Sequence, residues 1–132
     1  MLLNLETDYA IRIVTFLSDS ACKCDAKTIS EASGVPPRFC LKILSKLVSS
    51  DIVKSFKGVK GGYVLARPAE EISLYEVIEK INGSCELIHC QCGEDNCTNP
   101  GGLCRFMPAF HKASAAIKKE LGSVTFGSMK GN

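Results

Sequence analysis

A mainly helical chain carrying one small β-hairpin is the fold class this sequence predicts, and three observations carry the prediction. Apolar residues recur at helical spacing in several separate stretches, and two short β-prone runs flank a glycine-rich turn. Five of the eight cysteines fall between Ser84 and Phe106, where Gly93, Gly101, Gly102 and Pro100 favour a loop over a helix. At 132 residues the chain suits one structural domain, long enough to bury a core if helices do most of the work.

The first helix is expected within TDYAIRIVTFL. Thr7 is placed to cap it, Asp8 meets the positive end of the helix dipole, and Ala10, Ile13, Val14 and Leu17 form an apolar stripe ending near Ser18 to Ser20. Asp25 then caps a short helix, AKTISEAS, which Gly34 stops. Pro36 and Pro37 stand where proline is tolerated, at the start of a helix whose apolar side is Phe39, Cys40, Ile43, Leu44 and Leu47. Its polar side carries Arg38, Lys42 and Lys46. Short helix, glycine turn and amphipathic helix is the order of a helix-turn-helix, whose second helix enters the major groove of DNA.

Val53 to Phe56 and Tyr63 to Leu65 read as a hairpin with a basic tip at Lys57 and Lys60. A helix-turn-helix followed by a basic hairpin is a winged helix, with those two lysines placed to meet phosphate or the minor groove. Ser73 and Glu76 form a capping box before LYEVIEKIN, which Gly83 closes. After the cysteine loop a long helix carries Phe106, Phe110, Ala113, Ile117 and Leu121 as one apolar seam. Pro108 requires that helix to begin near Met107 or to bend there. The seam either covers the chain's own core or pairs with a second protomer, and pairing is favoured because such DNA readers generally work as dimers. The chain thus divides into residues 1–83 (winged helix-turn-helix), 84–104 (cysteine loop), 105–121 (dimerisation helix) and 122–132 (a frayed, flexible tail).

Charge supports the same division. From Arg38 to Arg67 seven basic residues face one acid, a balance of +6, whereas from Pro68 to Cys104 one lysine faces seven acids, a balance of −6. A basic block inside a chain of net charge +2 points to a polyanionic partner for that block. The opening MLLNLETDYAIRIVTFL lacks the basic start and cleavage site of a secretory signal, and Glu6, Asp8 and Arg12 interrupt it as a membrane span. A reducing cytoplasmic setting is therefore expected, where clustered cysteines hold metal or sense redox state more often than they form disulfides. No nucleophile and base pair and no phosphate-cradling motif suggests an enzyme.

Cys90, Cys97 and Cys104 are separated by six residues each time, with Cys92 inside the first interval. Three thiolates on one loop suit an iron-sulfur cluster, of the [2Fe-2S] or [4Fe-4S] type, which usually takes four protein ligands. A zinc site of Cys90, Cys92, Cys97 and Cys104 is the metal alternative, and metal-free redox thiols are another. Candidates for a fourth cluster ligand are Cys92, His89, His111 and Asp8, although the helix dipole already accounts for Asp8. Cys40 and Cys85 read as packing residues, and Cys22 and Cys24 as exposed loop thiols.

TDYAIRIVTFL, LKILSKLVSSDIV, KGVKGGYVLARPAEEISLYEVIEKING and three spaced cysteines before a long helix together resemble the IscR/NsrR (Rrf-two) family of bacterial winged-helix regulators, from about Asn4 to Leu121. The resemblance implies a homodimer on palindromic operator DNA, with an iron-sulfur cluster whose state sets DNA affinity in response to nitric oxide, iron, oxygen or cluster status. By position it makes Cys90, Cys97 and Cys104 the cluster ligands. IscR-like members take a histidine three residues past the third cysteine, where this chain has Met107. NsrR-like members use an aspartate near the start of the first helix, supplied by the partner subunit, and Asp8 matches it. The alternatives are a cluster-free regulator of sulfur metabolism and, from another class, a small redox or electron-transfer protein.

Overall fold

The structure, a computed structural model, describes residues 3–20, 22–83, 85–87 and 103–129. Helices α1 (Leu5–Asp19), α2 (Ala26–Ser33) and α3 (Pro37–Ser49) lead into strands β1 (Val53–Phe56) and β2 (Gly62–Leu65). A 3-10 turn (Ala69–Glu71), helix α4 (Leu74–Asn82), a second 3-10 turn (Leu103–Phe106) and helix α5 (Met107–Gly122) follow. The architecture is mainly helical with a two-stranded antiparallel hairpin, a winged helix.

Helix α1 packs against α2, α3, α4 and β2, which makes it the centre of the fold. Its stripe Ala10, Ile13, Val14 and Leu17 is buried with Ile29, Cys40, Ile43, Leu44, Leu47 and Val77 in a single apolar core. The helix begins about one turn before the position the sequence suggests. Asn4, not Thr7, is the cap: its side-chain oxygen accepts the Thr7 N–H at 2.8 Å. Thr7 is wholly buried and donates its hydroxyl to Asn4 at 2.8 Å, with Asn82 at the end of α4 3.4 Å away.

Local chemistry sets the other helix ends. Asp25 accepts the Thr28 N–H, and bonding to Thr28 holds its carboxyl below the usual range. Gly34, at φ 71°, ends α2. Asp51 does the same after α3 at φ 59°, where the Ile52 N–H reaches Leu47 and the Asp51 N–H reaches Val48. This Schellman closure turns the chain from α3 straight into β1. Pro108 lies in the first turn of α5, where its missing N–H leaves nothing unpaired, so the helix begins at Met107. Only half of the expected capping box forms. Ser73 accepts the Glu76 N–H at 3.1 Å, but the Glu76 carboxylate pairs with Arg67 instead of returning to Ser73.

The tail departs most from expectation. Val124 accepts the Leu74 N–H at 2.8 Å, and the Phe126 and Gly127 N–H groups donate to Ile72 and Ala69. Phe126 is only 6% exposed and belongs to the core. Residues 124–127 therefore fold back across the entrance to α4 instead of fraying. Helix α5 packs on α4, yet none of its residues is buried, and Phe110, Ala113, Ile117 and Leu121 stay half-exposed. Truncation of a buried phenylalanine typically costs ~3–5 kcal/mol. Phe126→Ala is expected to lower unfolding free energy by about 3 kcal/mol in urea titration, whereas a frayed tail would leave it unchanged.

Candidate nucleic-acid interface

Helix α3 buries Cys40, Ile43, Leu44 and Leu47 and turns Arg38, Leu41, Lys42, Ser45 and Ser49 outward. These exposed residues recur every three or four positions and so form one face. Sequence reading found Arg38 and Lys42 there by charge but passed over Leu41 and Ser45, whose only signal was their spacing from Arg38. An apolar side chain and a hydroxyl among two cations are suited to base edges, since thymine presents a methyl and every base pair a hydrogen-bonding edge in the major groove.

Lys46 lies further along α3 and is half-buried. Its ammonium pairs with Glu6 of α1 at 2.5 Å. Arg67 is likewise held by Glu76. Two of the seven basic residues between 38 and 67 are therefore neutralised by acids outside that block, and the exposed positive charge concentrates at Arg38, Lys42, Lys54, Lys57 and Lys60.

The hairpin holds the last three of these. Its register pairs Val53 with Leu65, Lys54 with Val64, Ser55 with Tyr63 and Phe56 with Gly62. Lys57, Val59 and Lys60 at the tip are all exposed, Val59 completely. The segment before α2 braces the hairpin from outside. The Cys24 N–H donates to the Tyr63 carbonyl at 3.2 Å and the Tyr63 N–H donates to the Cys24 carbonyl at 2.8 Å. Lys23, which sequence reading did not single out, sits 4.1 Å from the Phe56 ring centroid. Gly62 permits this approach, because a Cβ there would lie 2.8 Å from the Cys24 oxygen. Cys24 is therefore half-buried and structural, not the exposed loop thiol expected.

Helix α1 connects to α3 in a second place. The Tyr9 and Phe39 ring centroids are 5.9 Å apart, and Arg12 lies 5.7 Å from the Tyr9 ring. The same Arg12 pairs with Asp8 at 2.9 Å. Asp8, half-exposed in the first turn of α1, is thus one step from the side chains that meet the start of α3.

Of the candidate cluster ligands, Cys104 is exposed on the 3-10 turn before α5 and His111 is exposed on α5. Cys90, Cys92, Cys97 and His89 lie outside the described residues. Among the described residues no three His, Cys, Asp or Glu side chains come together to hold a metal ion. An exposed thiol is the donor type an iron-sulfur cluster takes, so Cys104 fits such a group chemically. Cys40 and Cys85 are buried, as their packing role required, and burial pushes both thiols up, with Glu79 adding to the effect at Cys85.

Residues 3–132 match the model of the Rrf2 family, described as iron-dependent transcriptional regulators. The chain belongs to the Rrf2 family. Relatives named for a function are HTH-type transcriptional regulators. The HTH-type transcriptional regulator NsrR of Oceanobacillus iheyensis is 30% identical over 129 residues, 95% of this chain and 86% of that protein. An HTH-type regulator of Mycobacterium tuberculosis (strain ATCC 25618 / H37Rv) is 38% identical over 85 residues, 63% of this chain. The match spans about half, 53%, of that relative's length. Among solved structures, CymR of B. subtilis, the global cysteine regulator of that organism, superposes with a TM-score of 0.79 at 20% identity, covering 98% of this chain and 96% of that one. The likeness establishes the fold. Among the described residues no helix is long and apolar enough to cross a membrane.

Thiolate is the reacting form, so exposure and a low pKa both speed alkylation. Iodoacetamide at mildly alkaline pH is expected to label Cys22 well before Cys40 and Cys85, read by peptide mass against time. Equal rates would contradict the burial of the latter two.

Proposed function

We propose that the chain is a dimeric, DNA-binding transcriptional regulator whose operator affinity is set by an iron-sulfur cluster. One observation carries the reading: helix α1, which bears Asp8, is fastened to the outward-facing helix α3 by Glu6–Lys46 and by Tyr9 against Phe39. Family membership and the concentration of exposed cations on α3 and the hairpin support the DNA-binding part.

In this reading Arg38 and Lys42 face the major groove with Leu41 and Ser45 between them, and Lys57 and Lys60 meet phosphate beside it. Lys46 contributes through α1, because Glu6 already holds its charge. Cys90, Cys97 and Cys104 of one protomer would hold the cluster, with Asp8 of the other as fourth donor and Cys92 as the alternative. When bound, the cluster would supply redox- and ligand-sensitive chemistry. Asp8 taken up as a donor would give up its pairing with Arg12. Arg12 lies against Tyr9 and Tyr9 against Phe39, so that pairing bears on how α1 sets α3, and with it on how two copies of α3 meet half-sites about 34 Å apart. The half-exposed apolar seam of α5, from Phe110 to Leu121, is the surface a second protomer covers.

Two outcomes test this. Cys97→Ala is expected to remove visible absorbance and bound iron after anaerobic purification. A wild-type protein that is itself colourless and iron-free yet binds its operator fully would favour the cluster-free regulator. Lys57→Ala is expected to weaken binding on every DNA sequence and to reduce the salt slope by about one. An unaltered slope would remove the hairpin tip from the phosphate contacts.

A further inference from the structure

Cys22 and Cys24 take no part in the reading above, yet they flank the segment that braces the hairpin. Cys22 is exposed and borders an open cleft of about 290 Å³ that is also lined by Leu17, Leu65, Arg67 and Glu70. The Cys24 sulfur lies 3.6 Å from the Cys22 backbone carbonyl oxygen. Extended residues two apart present their side chains on one side, and the residue between them faces the other. The placement of Lys23 against Phe56 agrees with that alternation.

We propose that Cys22 and Cys24 form an oxidant-sensitive dithiol whose closure to a disulfide releases the hairpin from its brace. The oxidant is a peroxide. The Cys22 thiolate attacks one peroxide oxygen, the O–O bond breaks, and the departing oxygen leaves as water, so that Cys22 carries a sulfenic acid. The Cys24 thiol then attacks that sulfur, the S–O bond breaks, and a second water departs as the S–S bond forms. Two thiols lose two hydrogens and one peroxide becomes two waters, so atoms and electrons balance.

Closure has a mechanical cost in this setting. Disulfide-bonded residues need their Cβ atoms about 3.5–4.5 Å apart, whereas side chains two steps apart on an extended strand are spaced by about 6.6 Å. The strand must therefore contract or turn at Cys24, whose N–H and carbonyl are both engaged by Tyr63. Tyr63 lies in β2 opposite Ser55, two residues before Lys57, so losing those bonds alters the presentation of the basic tip.

The consequence for DNA rests on the DNA-binding reading, and the test separates the two. Full-length protein prepared without air is treated with hydrogen peroxide beside Cys22→Ser. The wild type is expected to lose two hydrogen masses in the peptide holding both cysteines and to exchange the Tyr63 amide hydrogen faster. Its DNA affinity should fall roughly tenfold relative to equally treated Cys22→Ser, the scale of lost charge-assisted phosphate contacts. A Cys24→Ala variant should show neither the mass change nor the faster exchange. Absence of the disulfide, or a disulfide with Tyr63 exchange unchanged, overturns the proposal. A disulfide with faster exchange in a protein that binds no DNA even before treatment supports the dithiol and sinks the DNA-binding reading instead.

Discussion

Burial of the inner stripe of helix α1 is the constraint on which the rest of the molecule depends. Ala10, Ile13 and Val14 are wholly enclosed, and the enclosing side chains come from α2, α3, α4 and the hairpin. In a chain of this size one such helix supplies most of the surface against which other elements can shed water. The outward face of α3 and the position of the hairpin tip are consequences of that packing. A residue with no part in DNA contact, such as Ile13, thus helps to determine where Arg38 and Lys57 stand.

Polar contacts then restrict how the packed elements slide. The Glu6–Lys46 pair is only partly shielded, and pairs of that kind contribute little to stability by themselves. Their use here is registration: the Lys46 ammonium of α3 meets a carboxylate that belongs to α1. Thr7 performs a similar task at the other side, lying between the cap of α1 and the end of α4. The start of α1 is thereby joined both to α3 and to the helix that leads into the cysteine loop, which is the arrangement the proposed signalling route needs.

Much of this was legible in the sequence wherever a short-range rule applied. Asp25 and Gly34 delimit α2, Pro36 and Pro37 open α3, Ser73 opens α4, and the glycines mark the hairpin, because caps and turns depend on residues a few positions apart. The cap of α1 was misplaced because Asn4 and Thr7 both suit that role, and only the burial of Thr7 against Asn82 separates them. Glu76 was read as half of a capping box because Arg67, nine residues away, was not visible as its partner. Phe126 was taken for part of a loose tail because its glycine- and serine-rich neighbours gave no periodicity, and the partners of Phe126 and Gly127 lie some fifty residues earlier at Ile72 and Ala69. For the interface, charge identified the cations but could not distinguish those held by acids, Lys46 and Arg67, from those left outward. The thiols at Cys90, Cys92 and Cys97 lie outside the described residues, so their grouping with Cys104 rests on spacing and family membership.

The brace at Cys24 has one more consequence. A two-stranded ribbon has two open margins, each able to template a strand from another molecule. On the β2 margin, Tyr63 is already occupied by Cys24, and Gly62 lies too close to that segment for an intruder to fit. The β1 margin carries the exposed Lys54 beside Ser55, and a row beginning with a cation repels its own copy. Both margins of the ribbon are thereby guarded against pairing with a strand of a second molecule.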